Sequence, residues 1–135
     1  MKPRLNVIAL VVADMRRSLE FYRKLGLAIP DDADSQPHVE AELGGGIRLA
    51  WDDLATVRSF EPDWQPPQSG QISLAFQCER PADVDAVYRD LVEAGYDGHL
   101  APWDAFWGQR YAVVHDPDGN GVDLYALLPA TQAAT

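Results

Sequence analysis

Three histidines and four tryptophans in a chain of 135 residues are the side chains best equipped for chemistry, and their spacing narrows which chemistry it is. No two of His38, His99 and His115 stand four residues apart around a glutamate, so the HExxH pattern of a zinc hydrolase is absent. No serine stands in a GxSxG nucleophile elbow. Gly44-Gly45-Gly46 lacks the lysine and hydroxyl residue of a phosphate loop and reads as a hairpin turn. His38 follows Pro37 in a polar stretch and is expected in solvent. His99 opens an aromatic segment and can reach a pocket rim, and His115 is expected to be a turn residue before DPDGN. The tryptophans say more. Trp103 and Trp107 flank Phe106 in the segment APWDAFWG, which reads as a short loop ill suited to a core. Aromatic rings on such a loop stack on planar rings or on cations. Trp51 ends a strand pattern and Trp64 lies in a proline-rich stretch.

The elements that must position these residues come from a near-repeat. Laying residue 7 on residue 73, a shift of 73 − 7 = 66, brings Leu10 onto Phe76 and Tyr22, Arg23 and Leu25 onto Tyr88, Arg89 and Leu91. Leu5 to Val12 reads as a strand and Asp14 as the N-cap of a helix over Met15 to Leu25, stopped by Gly26. Met15, Leu19, Tyr22 and Leu25 form its apolar stripe. Residues 30–37 read as a polar loop, and Val39–Leu43 and Ile47–Trp51 as a hairpin. Asp53 to Gly70, with three prolines, reads as a linker holding a short helical turn near Leu54 to Phe60. In the second half, Gln71–Cys78 reads as a strand. The helix from Pro81 buries Val84, Val87, Tyr88, Leu91 and Val92 and ends at Gly95. Strands are expected at Gln109–His115 and Val122–Leu128, and a disordered tail from residue 129 to 135. The reading is therefore an α+β fold of two βαβββ modules, residues 5–52 and 71–128, in one domain with a cleft between its halves.

With 21 acidic against 11 basic residues the net charge is −10, which argues against nucleic acid and anionic membrane surfaces. No stretch approaches the run of about 20 apolar residues that a membrane span needs. Val7 to Ala13 is at the short limit for a secretion signal, and its partner in the repeat favours a strand there. The single cysteine, Cys78, rules out an internal disulfide and fits the cytoplasm.

The segment VVADMRRSLEFYRKLGL resembles the first-strand and helix signature of the vicinal oxygen chelate superfamily. That group holds glyoxalase I, extradiol dioxygenases, fosfomycin resistance enzymes and bleomycin resistance proteins. GQRYAVVHDPDGNGVDLY is similar to its closing hairpin, and the resemblance spans Leu5 to about Leu128. It implies two βαβββ modules curling around a cleft, frequent homodimers, and, in drug-binding members, modules exchanged between chains. In the enzymes a divalent metal is held by the first and last strands of each module. The corresponding positions here are Val7, Arg48, Ser73 and Asp123. Valine offers no lone pair and an arginine cation repels a metal, so no metal and no other cofactor is expected. Arg48 and Asp123 are instead expected to pair with each other or to anchor a ligand's polar groups.

What this implies resembles the metal-free branch, the bleomycin, mitomycin and phenazine resistance proteins, which hold a drug without altering it. The ligand is then small, planar aromatic or cationic. The expected binding residues are Arg48, Trp51, Ser73, Trp103, Trp107, Tyr111, Asp123 and Tyr125, with Trp51 reaching a ligand only at a strand end or across a dimer seam. The competing reading is a glyoxalase-type lyase, isomerase or dioxygenase with an atypical metal site that recruits His38 or His99.

Overall fold

Apolar residues at alternate positions make Val7–Val12 (β1), His38–Gly44 (β2) and Ile47–Asp53 (β3) into one sheet in a computed structural model. It describes residue 2 and residues 4–67 and 72–129. The chain divides into two compact units, Met1–Pro67 and Gln68–Thr135. In the first, the strand order is β1-β3-β2, with β1 parallel and β2 antiparallel to the central β3. The helix Met15–Lys24 (α1) starts at Asp14, whose carboxylate accepts the Arg17 N–H at 3.1 Å. It buries Met15, Ser18, Leu19, Phe21 and Tyr22. Met15, Leu19 and Tyr22 of the expected stripe are buried, Ser18 and Phe21 widen it, and Leu25 lies at the helix end, half-buried. Tyr22 meets Trp51 edge-on, with ring centroids 5.7 Å apart. Leu10, Val39, Ala41 and Leu49 complete this layer.

The second unit is built alike, with one strand more. Ser73–Gln77 (β4), Asp97–Ala105 (β5), Gln109–His115 (β6) and Gly121–Leu127 (β7) form a sheet of order β4-β7-β6-β5. Here too the first strand runs parallel to the last, and the others antiparallel. The helix Pro81–Glu93 (α3) carries Pro81 at its first position and buries Val84 and Leu91 on Ala112, Val114, Val122 and Leu124. Gly26 and Gly95 follow the helices at φ 96° and 98°, a left-handed stop that suits glycine. Arg110 fastens α3 to β6 through two bonds of 2.9 Å to Asp85. Gly98 on β5 lies so close to α3 that a Cβ there would clash with the Tyr88 hydroxyl oxygen.

Two expectations change. The first module is βαββ rather than βαβββ, because Asp31–Ser35 winds into a 3-10 turn where the second module has β5. The helical turn expected after it is present as Leu54–Phe60 (α2), capped by Asp53, which accepts the Thr56 N–H at 2.8 Å. The aromatic segment is largely strand: β5 runs through Trp103, leaving only the Phe106-Trp107-Gly108 turn. The expected strand start at Gln71 and the tail from residue 130 onward lie outside the described residues.

Candidate functional site

Alternation along a strand sends one side of each sheet to its helix and leaves the other side helix-free. In the second unit, register places Ser73, Ala75 and Gln77 beside Gly121, Asp123 and Tyr125, and these beside His115, Val113 and Tyr111. Trp103 is the partner of Tyr111 on the other side. Sequence-predicted residues Ser73, Trp103, Tyr111, Asp123 and Tyr125 therefore share one face, with Trp107 on the adjoining turn.

Their contacts are polar at one end and aromatic at the other. Tyr111 donates its hydroxyl to Asp123 at 2.5 Å, and Ser73 donates to the same carboxylate at 3.4 Å. Burial, then the bond to Asp123, pushes the Tyr111 phenol up to about 12, so it stays a neutral donor at ordinary pH. The Tyr111 ring lies edge-to-face with Trp103 at 5.5 Å and with Trp107 at 5.2 Å. Phe106, 96% exposed, and Trp107, 46% exposed, carry the aromatic surface outward. Trp107 Nε1 donates to Gln109 at 2.8 Å. Tyr125 reaches Gln77 at 3.5 Å.

The helix-free face of the first unit is built from charges that hold one another. His38, expected as a loop residue, opens β2 and bonds Asp52 at 2.5 Å and Glu40 at 2.8 Å. The bonds to Asp52 and then Glu40 raise its pKa, favouring the imidazolium. The bond to His38, with the Arg48 charge nearby, holds Glu40 below the usual carboxylate range. Arg48 Nη1 donates to Glu40 at 2.6 Å.

Arg48 and Asp123 each have a partner within their own unit, Glu40 for Arg48 and Tyr111 for Asp123. Trp51 is fully enclosed against Tyr22 in the first unit's core, so it offers no ring face to a ligand. His115 is the last residue of β6 rather than a turn residue; it bonds Asp97 at 2.8 Å and stacks on His99 at 4.5 Å. The turn is held instead by Asp116, which accepts N–H bonds from Asp118 at 2.9 Å and Asn120 at 2.8 Å. Sequence reasoning passed over Gln77, Gln109 and Glu40. Strand alternation from Ser73 places Gln77, from Tyr111 places Gln109 and from His38 places Glu40 on the same faces.

The four positions that would hold the superfamily's metal do not fit one. Val7 is the register partner of Arg48, and that arginine is a cation bound to Glu40. Ser73 and Asp123 supply one hydroxyl and one carboxylate. Among the described residues, no group of three or more histidine, cysteine, aspartate and glutamate side chains is arranged for a metal ion. No helix among them is long and apolar enough to cross a membrane.

Residues 4–124 match the family model of the Glyoxalase/Bleomycin resistance protein/Dioxygenase superfamily. YraH of Bacillus subtilis, an uncharacterized protein, is 28% identical over 124 residues, 90% of this chain and 96% of that one. A glyoxalase/bleomycin resistance protein/dioxygenase from Nocardioides superposes with a TM-score of 0.72 at 25% identity, covering 95% of this chain and 85% of that chain. A family enzyme from Burkholderia phytofirmans shares the fold at a TM-score of 0.80 and 16% identity, over 93% of this chain and 100% of its own.

Proposed function

The chain belongs to the Glyoxalase/Bleomycin resistance protein/Dioxygenase superfamily, and from that premise we propose that it binds and withholds a small planar aromatic or cationic molecule without a metal. One observation carries this reading. The steep aromatic cluster of Trp103, Tyr111 and Trp107 adjoins a carboxylate, Asp123, whose bonded donors are neutral hydroxyls. Such a surface offers ring faces for stacking and a negative pole for orientation. Ser73, Trp103, Trp107, Tyr111, Asp123 and Tyr125 form the proposed site. Arg48 is left out because Glu40 already holds its guanidinium.

A homodimer acting in the cytoplasm belongs to the same reading. Cys78, half-buried and with its thiol pushed up by burial and then by Asp83, suits a reducing compartment as an inert small side chain.

The test is tryptophan fluorescence of the purified protein against a panel of planar antibiotics, with metal content measured on the same sample. Saturable quenching at micromolar ligand in metal-free protein is expected. Turnover of a glutathione hemithioacetal that depends on retained Zn²⁺, Ni²⁺ or Mn²⁺ would replace this reading with the enzymatic one.

A further inference from the structure

The carboxylate on the proposed binding face is only half used. Tyr111 and Ser73 both donate to the same oxygen of Asp123, Oδ2, at 2.5 and 3.4 Å. Among the described residues no donor is bonded to Oδ1 and no cation is paired with Asp123. Three other carboxylates on these faces are paired: Glu40 and Asp52 share His38, Glu40 also takes Arg48, and Asp97 takes His115. The residues opposite Asp123 on the flanking strands are Ala75 and Val113, neither of which can neutralise it. The three rings nearby stand steeply to one another, at 74° for Trp103 with Tyr111, 80° for Trp107 with Tyr111 and 89° for Trp103 with Trp107. They present π-faces in different directions around one corner.

Resting on the binding reading above, we propose that this corner recognises a cation that carries an N–H, a protonated amine or amidine on a planar ring, which donates to Asp123 Oδ1 while the ring lies on the tryptophans. A quaternary ammonium keeps the charge and the cation–π attraction but covers Oδ1 without supplying a donor, which leaves that oxygen desolvated and unbonded. A neutral ring keeps only stacking. An anionic ring meets the carboxylate's repulsion. Tyr111 acts as a positioning residue: by occupying Oδ2 it fixes the carboxylate so that Oδ1 is the free oxygen.

Equilibrium dialysis of the metal-free protein against three ligands of one ring system tests this: the 9-aminoacridine cation, 10-methylacridinium, and acridine in its uncharged form. The N–H cation is expected to bind about tenfold or more tighter than the methylated cation, with the neutral ring weaker still. Asp123→Asn should bring the two cations to near equality. Tyr111→Phe should narrow their ratio while leaving stacking in place, which a merely structural loss would not do, since it weakens all three ligands together. Equal binding of the two cations, or binding of the neutral ring as tight as either, would overturn the anchor while leaving the binding reading intact. No binding of any of the three would overturn the binding reading itself, and the anchor with it. The series on the unaltered protein discriminates between these results without relying on either variant.

Discussion

Two sheets of similar build present very different helix-free faces. In the first unit, His38, Glu40, Arg48 and Asp52 saturate one another across β2 and β3. In the second, aromatic rings surround a carboxylate that has hydroxyl donors and no counterion among the described residues. A face whose charges are matched internally gains little from a ligand, because any new contact must first break an existing pair. A face with an unmatched charge and exposed rings gains from one. The difference teaches that repetition of the scaffold leaves the two faces free to diverge, and it is the reason the proposed binding site is placed on the second unit.

Tryptophan substitutions sharpen the contrast most. Trp51→Ala should cost about 3–5 kcal/mol of stability, measured as a shift in denaturation midpoint, because it empties the layer between α1 and β3. Trp107→Ala, at a ring 46% exposed, should cost under about 1 kcal/mol while weakening ligand binding. Gly98→Ala should cost about 1–3 kcal/mol in the second unit, since the new methyl meets Tyr88 and Val92 of α3. On the first face, His38→Gln should cost about 1 kcal/mol or less, because the ring is 46% exposed and solvent screens its pairs.

Titration separates the faces further. The His38 pKa is raised, so its contribution to stability is fully present below the ordinary histidine value and is lost as pH rises through the raised one. Proton NMR of the histidine rings should show His38 titrating later than a free histidine. Tyr111, pushed up to about 12, contributes stability that is present below about pH 10 and lost as pH rises toward 12. Phenolate absorbance should lose one late-ionising tyrosine in Tyr111→Phe.

Much of the scaffold was legible because it rests on local signals. Asp14, Pro81, Gly26 and Gly95 mark the helix ends by their chemistry, and alternation marks the core strands. Strand β5 was hidden because Pro102 and the polar Asp104 interrupt its pattern, and its pairing with β6 slips twice, between Gly98 and Leu100 and between Leu100 and Trp103. The 66-residue shift aligned the helices but not the strand pairing. Val7 pairs with Arg48, whereas Asp123 pairs with Ala75 and Ser73 with Gly121. That difference of two residues keeps every side chain on its face, so Ser73 still reaches Asp123 diagonally. The partners of Arg48 and Asp123 were illegible for another reason: which of several nearby acids and hydroxyls each takes is set by cross-strand register, which one sequence does not fix.

The most direct test of the central claim is calorimetric titration of a planar aromatic cation into protein held in a metal chelator, comparing the unaltered chain with Asp123→Asn and Arg48→Ala. The account predicts saturable binding that Asp123→Asn weakens by about tenfold or more and that Arg48→Ala leaves nearly unchanged. Binding that appears only after a divalent metal is restored, or that is lost with Arg48 and kept without Asp123, would contradict it.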